Sequence, residues 1–168
     1  MNDTAMENAP ETPVLSQAAL DEIEQECAKY PPDRRQSALL AALRIAQDEH
    51  GWLWDGMIEH VAGVIGVPPV RAYEVATFYS MYHLKPVGRN VIRLCTNISC
   101  MLRGCDEIQR HIEQKLGIRM GQTTGDERFT LQEVECLCAC AGAPMMQVNK
   151  EYHENLTPER VDEILARY

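Results

Sequence analysis

The stretch NVIRLCTNISCMLRGCDEIQRHIEQKLG, residues 90–117, read together with FTLQEVECLCAC, residues 129–140, decides the fold of this chain. Asn90 to Cys95 is short and β-branched with no helical period, and it reads as a strand. From Met101 through Cys105, Ile108, Ile112 and Leu116 the apolar spacing is four, three, four and four, one face of a helix that Gly117 ends. Residues 129–135 read as a second strand. A strand, a crossover helix and a second strand in one sheet run parallel, so their carboxyl ends share an edge. Cys95 closes the first strand and Cys136 the second, which places both cysteine loops where open α/β sheets carry their sites.

The cysteines come in two pairs, Cys95 with Cys100 and Cys136 with Cys140, each pair on its own loop. Thiolates presented this way form a soft ligand set suited to a small iron-sulfur cluster, and so to electron transfer. A 2Fe-2S cluster on four thiolates carries about two negative charges when oxidised and about three when reduced, which the protein has to stabilise. A helix starting near Ser99 directs its free N–H groups at the first loop, with Arg103 one turn in. Around the second pair, Ala139, Ala141, Gly142 and Ala143 leave room for backbone N–H groups to approach the sulfurs. Structural zinc is the rival, but it favours close C-x2-C knuckles, and the gaps here are four and three residues. A dithiol oxidoreductase requires C-x-x-C, a spacing that does not occur. Cys27 and Cys105 lie on apolar helix faces and read as buried small hydrophobes.

Working outward, the chain has 168 residues and 45% hydrophobic content, enough for a core in one domain or one domain with a helical appendage. Residues 1–15 read as a flexible, polar tail. Ser16 caps a helix carrying Leu20, Ile23 and Cys27, which Pro31-Pro32 stops. A second helix starts near Ser37, buries Leu39, Leu40, Leu43 and Ala46, and ends at Gly51. A third, capped by Asp55, buries Ile58, Val61, Ala62 and Ile65 before Gly66, and Pro69 opens a fourth towards Thr77. The pattern changes after residues 85–88, giving a helical bundle over 16–87 and a second domain over 88–168. That second half reads β-α-β-β-α, with a strand at 145–149 and a last helix capped by Thr157 and carrying Val161, Ile164, Leu165 and Tyr168 on one face.

The net charge of −9 and the lack of a basic cluster argue against nucleic-acid binding. The first residues have neither the signal-peptide nor the transit-peptide pattern, and residues 61–70, interrupted by two prolines, are too short to cross a bilayer. His50, His60, His83, His111 and His153 are scattered and read as surface or capping residues, and Phe78, Tyr79 and Tyr82 read as packing at the domain junction. No phosphate loop, nucleophile elbow or paired-carboxylate site occurs, so no catalytic residue is assigned.

The segment from Leu43 to Gly51-Trp52-Leu53, ATFYSMY at 76–82, CTNISCMLRG at 95–104, GQTT at 121–124 and FTLQEVECLCACAGAPMMQVN at 129–149 together resemble one family. It is the thioredoxin-like 2Fe-2S component of bacterial NADH:quinone oxidoreductase, respiratory complex I, often called the E subunit. The resemblance covers nearly everything from about residue 35 onward. It implies an α/β fold, a thioredoxin-like 2Fe-2S ferredoxin domain behind an N-terminal helical bundle. It also implies ligation of one 2Fe-2S cluster by Cys95, Cys100, Cys136 and Cys140. The implied partner is a flavin-bearing, NADH-binding subunit, so that FMN and NADH belong to the partner, along with other peripheral-arm subunits, in a cytoplasmic assembly peripheral to the inner membrane. The cluster's implied position is a side one near the flavin. Similar domains serve NAD-dependent hydrogenases and formate dehydrogenases, and a structural zinc module for assembly is the alternative of another class. The chain departs from the family pattern at Cys138, where the family usually carries glycine, and Cys105 is an additional thiol.

Overall fold

Residues 13–168 are described by this computed structural model, and they divide into two compact units on either side of the Pro86-Val87 bond. Most of the expected N-terminal tail therefore lies outside the described residues, while Leu15 is buried in the first unit's core.

The first unit contains only helix: α1 (Gln17–Cys27), a 3-10 segment (Pro32–Ala38), α2 (Leu39–His50), α3 (Asp55–Ile65) and α4 (Pro69–Phe78). Ser16 caps α1 by accepting the Ala19 N–H at 3.2 Å, and its own N–H donates to the Glu49 carboxylate at 3.0 Å, so one serine both starts α1 and ties it to α2. Gly51 and Gly66, both at φ +83°, end α2 and α3. Ile23, Leu43, Leu53, Met57 and Ile58 are fully buried at the centre. Tyr82 is buried against them, donating its hydroxyl to the Leu40 carbonyl at 2.7 Å, and burial pushes its phenol up to about 12.

Three details differ from the sequence reading. The second helix begins at Leu39 instead of Ser37, because the proline-led segment before it winds as 3-10 and breaks at Arg34 (φ −119°). Trp54, not Asp55, occupies the N-cap of α3, leaving Asp55 in the first turn, where its charge meets the positive end of the helix. Of the aromatic trio only Tyr82 packs inward. Phe78 is 79% exposed, with Tyr79 stacked edge-on at 5.0 Å between ring centroids.

The second unit is built on a four-stranded sheet in the order β2-β1-β3-β4, from β1 (Asn90–Cys95), β2 (Phe129–Val134), β3 (Met146–Val148) and β4 (Glu151–His153). β1 and β2 run parallel, in register from Asn90 opposite Phe129 to Cys95 opposite Val134. β3 is antiparallel to β1, and β4 is antiparallel to β3. Three helices complete the unit: α5 (Ile98–Leu102), α6 (Cys105–Leu116) and α7 (Pro158–Leu165). Ile108 and Ile112 of α6 and Val161, Ile164 and Leu165 of α7 share one core with Ile92, Leu94, Leu131 and Val148 of the sheet. Asp162 of α7 receives His111 at 2.7 Å and Lys115 at 2.8 Å, joining the two helices, and these partners, Lys115 foremost, hold its carboxyl below the usual range.

Here too the outcome departs from the expected β-α-β-β-α. The apolar stripe from Met101 to Leu116 is carried by two helices, not one. Gly104 sits between them at φ +90°, a left-handed conformation that redirects the chain, so Met101 is exposed while Cys105, Ile108 and Ile112 are buried. β4 was not anticipated, since three residues are too few to display alternation. Its signal was the Asn149-Lys150 turn, with Asn149 at φ +55°.

Gly88 leads into β1 directly over β2. A Cβ there would stand 2.8 Å from the Phe129 carbonyl carbon and 3.0 Å from its nitrogen, atoms fixed by the parallel ladder. Gly88→Ala is expected to cost about 1–3 kcal/mol, the usual penalty for forcing atoms into a packed site, read as a lower urea midpoint at unchanged slope. An unaltered midpoint would contradict this close approach.

Candidate functional site

Because β1 and β2 are parallel and in register, the chain leaves both at the same edge. Cys95, the last residue of β1, is buried. Its N–H donates to the Met145 carbonyl at 3.2 Å, and its thiol donates to the Glu135 carbonyl at 3.9 Å. Thr96 then ties the outgoing loop to β2, with its N–H on the Val134 carbonyl at 3.1 Å and its hydroxyl on Glu133 at 2.8 Å. Asn97 caps α5 by accepting the Ile98 N–H at 2.7 Å. The short helix turns Cys100 inward, where its thiol hydrogen-bonds Cys95. Burial, above all, pushes the Cys100 thiol up to about 11, and the Cys95 contact adds to this, while a backbone hydrogen bond from Met145 opposes it. Cys105 lies in the same small core as Cys95, Cys100, Ala143 and Met145, and burial pushes it to about 11 as well.

The second loop is open to solvent. β2 ends at Val134, so Cys136 lies two residues beyond the strand instead of closing it. Cys136, Cys138 and Cys140 are all exposed. Cys138 adopts φ +58°, the left-handed region in which glycine is at ease, and this curls the loop back on itself. The Cys138 N–H thereby donates to the Cys136 sulfur at 3.3 Å, with the two sulfurs 3.8 Å apart. The proton of Cys138 is held more tightly than in a free thiol, first through its bond to Cys136 and also by the Cys140 and Cys95 sulfurs, so both loops lie within electrostatic reach.

Two expected sources of sulfur hydrogen bonds are engaged elsewhere. The Gly142 and Ala143 N–H groups donate to the Ala139 and Cys140 carbonyls at 3.0 and 3.3 Å, forming the 3-10 turn Cys140–Gly142. Arg103 ends α5 as its C-cap and is not one turn inside a helix, because Gly104 interrupts the run. Gly142 is required by a close contact: a Cβ there would fall 2.6 Å from the Glu154 Cβ, and its carbonyl accepts the Asn155 N–H at 2.6 Å.

The structure thus gathers Cys95 and Cys100 as a buried pair and Cys136, Cys138 and Cys140 as an exposed group on the same edge. The donor set is entirely sulfur, in two separate groups, which fits a binuclear thiolate-held centre. Among the described residues no group of three or more His, Cys, Asp or Glu side chains is placed to hold a metal ion. Cys27 is buried on α1 in the first unit. His111 pairs with Asp162, and His153, buried and not at the surface, meets the Tyr168 hydroxyl at 3.3 Å. His83 is likewise buried, with its N–H on Gln47 at 2.6 Å. One feature escaped the sequence reading. Ile98, Met101 and Leu102 form an exposed apolar lip on α5, Ile98 at 66% and Leu102 at 76%, on the turns that carry Cys100 inward. Their i, i+3, i+4 spacing was a legible signal.

A mixed sheet flanked by helices, with two cysteine-bearing loops at the carboxyl ends of its parallel strands, defines the thioredoxin-like ferredoxin class. The family model of the thioredoxin-like [2Fe-2S] ferredoxins matches residues 23–168, and the chain belongs to that family. Curated relatives include the E subunit of the NADH-quinone oxidoreductase of Rickettsia bellii (strain RML369-C), 49% identical over 140 residues, 83% of this chain and 84% of that protein. The second E-type subunit of the same oxidoreductase in Rhizobium meliloti (strain 1021) is 51% identical over 148 residues, 88% and 87% of the two chains. Among solved structures, an NAD+-reducing [NiFe]-hydrogenase in the air-oxidised state matches the fold with a TM-score of 0.64 at 23% identity, over 77% of this chain and 22% of that one.

A non-glycine residue held in the left-handed region costs about 1–2 kcal/mol, so Cys138→Gly should leave the chain at least as stable as the parent, read by urea denaturation of the metal-free protein. Marked destabilisation would mean that the Cys138 side chain supports the loop.

Proposed function

We propose that this chain is the electron-carrying E subunit of an NADH-quinone oxidoreductase. In this reading Cys95, Cys100, Cys136 and Cys140 hold one 2Fe-2S cluster that exchanges single electrons with the FMN of a partner NADH-binding subunit. The observation that carries it is the parallel register of β1 with β2, which delivers both cysteine loops to one edge. Identities near one half to E subunits of this oxidoreductase, over more than four-fifths of the chain, support the choice of complex. An NAD-dependent hydrogenase is the second reading, favoured by the fold likeness, but its 23% identity speaks for fold alone.

When bound, such a cluster takes up and releases one electron at a time. The chain's own residues hold and tune it. Cys95 and Cys100 present sulfurs from the core, with the Met145 backbone bonding Cys100. The exposed loop supplies Cys136 with the Cys138 N–H, a hydrogen bond that stabilises negative charge on the sulfur. Cys138 stands beside the ligands without being one. Because burial keeps a proton on Cys100, loading the site releases protons and is favoured as pH rises. The apolar lip of Ile98, Met101 and Leu102 is suited to contact with the flavin-bearing partner, which would place that partner beside the sulfurs. Among the described residues no helix is long and apolar enough to cross a membrane. We place the chain in the peripheral arm on the cytoplasmic side, attached to the inner membrane only through other subunits.

The purified chain, reconstituted with iron and sulfide, should hold about two irons and give an EPR signal when reduced. Cys95→Ser, Cys100→Ser, Cys136→Ser and Cys140→Ser should each destabilise the cluster or change its spectrum, whereas Cys138→Ser should keep it. Isolation from cells with stoichiometric zinc and no iron would overturn the reading, as would loss of the cluster in Cys138→Ser with retention in Cys136→Ser or Cys140→Ser. The chain alone should not oxidise NADH, and activity should appear only with the flavin-bearing subunit. Turnover by the pure, flavin-free chain would contradict the assignment of FMN to the partner.

A further inference from the structure

The third thiol of the open loop has no place in a four-ligand site, yet its geometry is specific. Cys138 curls at φ +58° so that its sulfur comes to 3.8 Å from that of Cys136, with only Leu137 between them in sequence. Both side chains are exposed, whereas Cys95 and Cys100 are buried. A disulfide needs sulfurs about 2.05 Å apart, a closure that rotation about two exposed Cα–Cβ bonds can supply. Cys140, the other exposed thiol, is anchored through its carbonyl in the 3-10 turn by the Ala143 N–H at 3.3 Å.

We propose that in the cluster-free chain Cys136 and Cys138 are a redox-active pair which a peroxide closes into a disulfide, withdrawing the Cys136 ligand until a dithiol reductant reopens it. One thiolate attacks the peroxide O–O bond, giving a sulfenic acid and, once the departing oxygen is protonated, one water. The neighbouring thiol then displaces the sulfenic oxygen as a second water and forms the S–S bond. The two thiols together lose two electrons and two protons, and one hydrogen peroxide is reduced to two waters. A dithiol reverses the step by exchange, becoming oxidised itself, and an exposed disulfide in a small ring is readily reduced. The bond shields two accessible thiols from irreversible oxidation while the site is empty. The pair itself rests on the observed geometry, and its consequence for loading rests on the reading of Cys136 as a cluster ligand.

The test uses the full-length chain, stripped of metal, reduced, desalted and treated with hydrogen peroxide. Peptide mapping after alkylation should find Cys136 and Cys138 joined, with Cys95 and Cys100 still alkylated on unfolding. The oxidised chain should lose most of its ability to incorporate iron and sulfide when no thiol reductant is added, and dithiothreitol should restore it. Cys138→Gly and Cys138→Ser, treated identically, should form no such link. A disulfide from Cys136 to Cys140, or free alkylated Cys138 in the oxidised chain, would overturn the proposal. So would equal loss of iron incorporation in the parent and both Cys138 variants. A chain that forms the link but incorporates no iron even when fully reduced would refute the cluster reading and leave the thiol pair standing.

Discussion

The pairing of β1 with β2 is the constraint on which the second unit depends. Six residues of each strand align, from Asn90 with Phe129 to Cys95 with Val134, and parallel pairing requires the long excursion through α5 and α6 between them. The excursion supplies the core: Ile108 and Ile112 return to cover Ile92, Leu94 and Leu131. The register sets the site. A slip of one residue would move Cys95 along the strand and turn it to the opposite face of the sheet, away from Cys100 and Met145. Thr96, bonded to both Val134 and Glu133, locks this register where the loops depart.

The parts of the molecule that were legible in the sequence are those governed by local rules. Ser16, Pro69 and Thr157 mark helix starts through cap chemistry and proline geometry, and all three stand where such rules put them. The β-α-β crossover followed from periodicity and chirality. The splitting of the stripe at Gly104 was hidden, because a left-handed glycine can reorient a chain while preserving apolar spacing on both sides. β4 was hidden by its brevity, and the burial of His83 and His153 depends on tertiary neighbours that no local pattern encodes.

At the sheet edge, the placement of the two cysteine loops was readable, and their environment was not. The spacing of Cys95 and Cys100 cannot reveal that both are buried, nor the spacing of Cys136 and Cys140 that both are exposed. That contrast arises from what packs behind each loop: Met145, Ala143 and Cys105 behind the first, solvent over the second. Position 138 was more informative. The resemblance implied a backbone suited to glycine there, and Cys138 adopts φ +58°, a side chain held in an uncomfortable conformation.

The small sulfur-rich core behind the first loop divides the thiols of the second unit by access. Cys95, Cys100 and Cys105 pack with Ala143 and Met145, so reagents from solvent reach these three sulfurs only when this core opens. A thiol reagent applied to the folded chain therefore meets Cys136, Cys138 and Cys140 first.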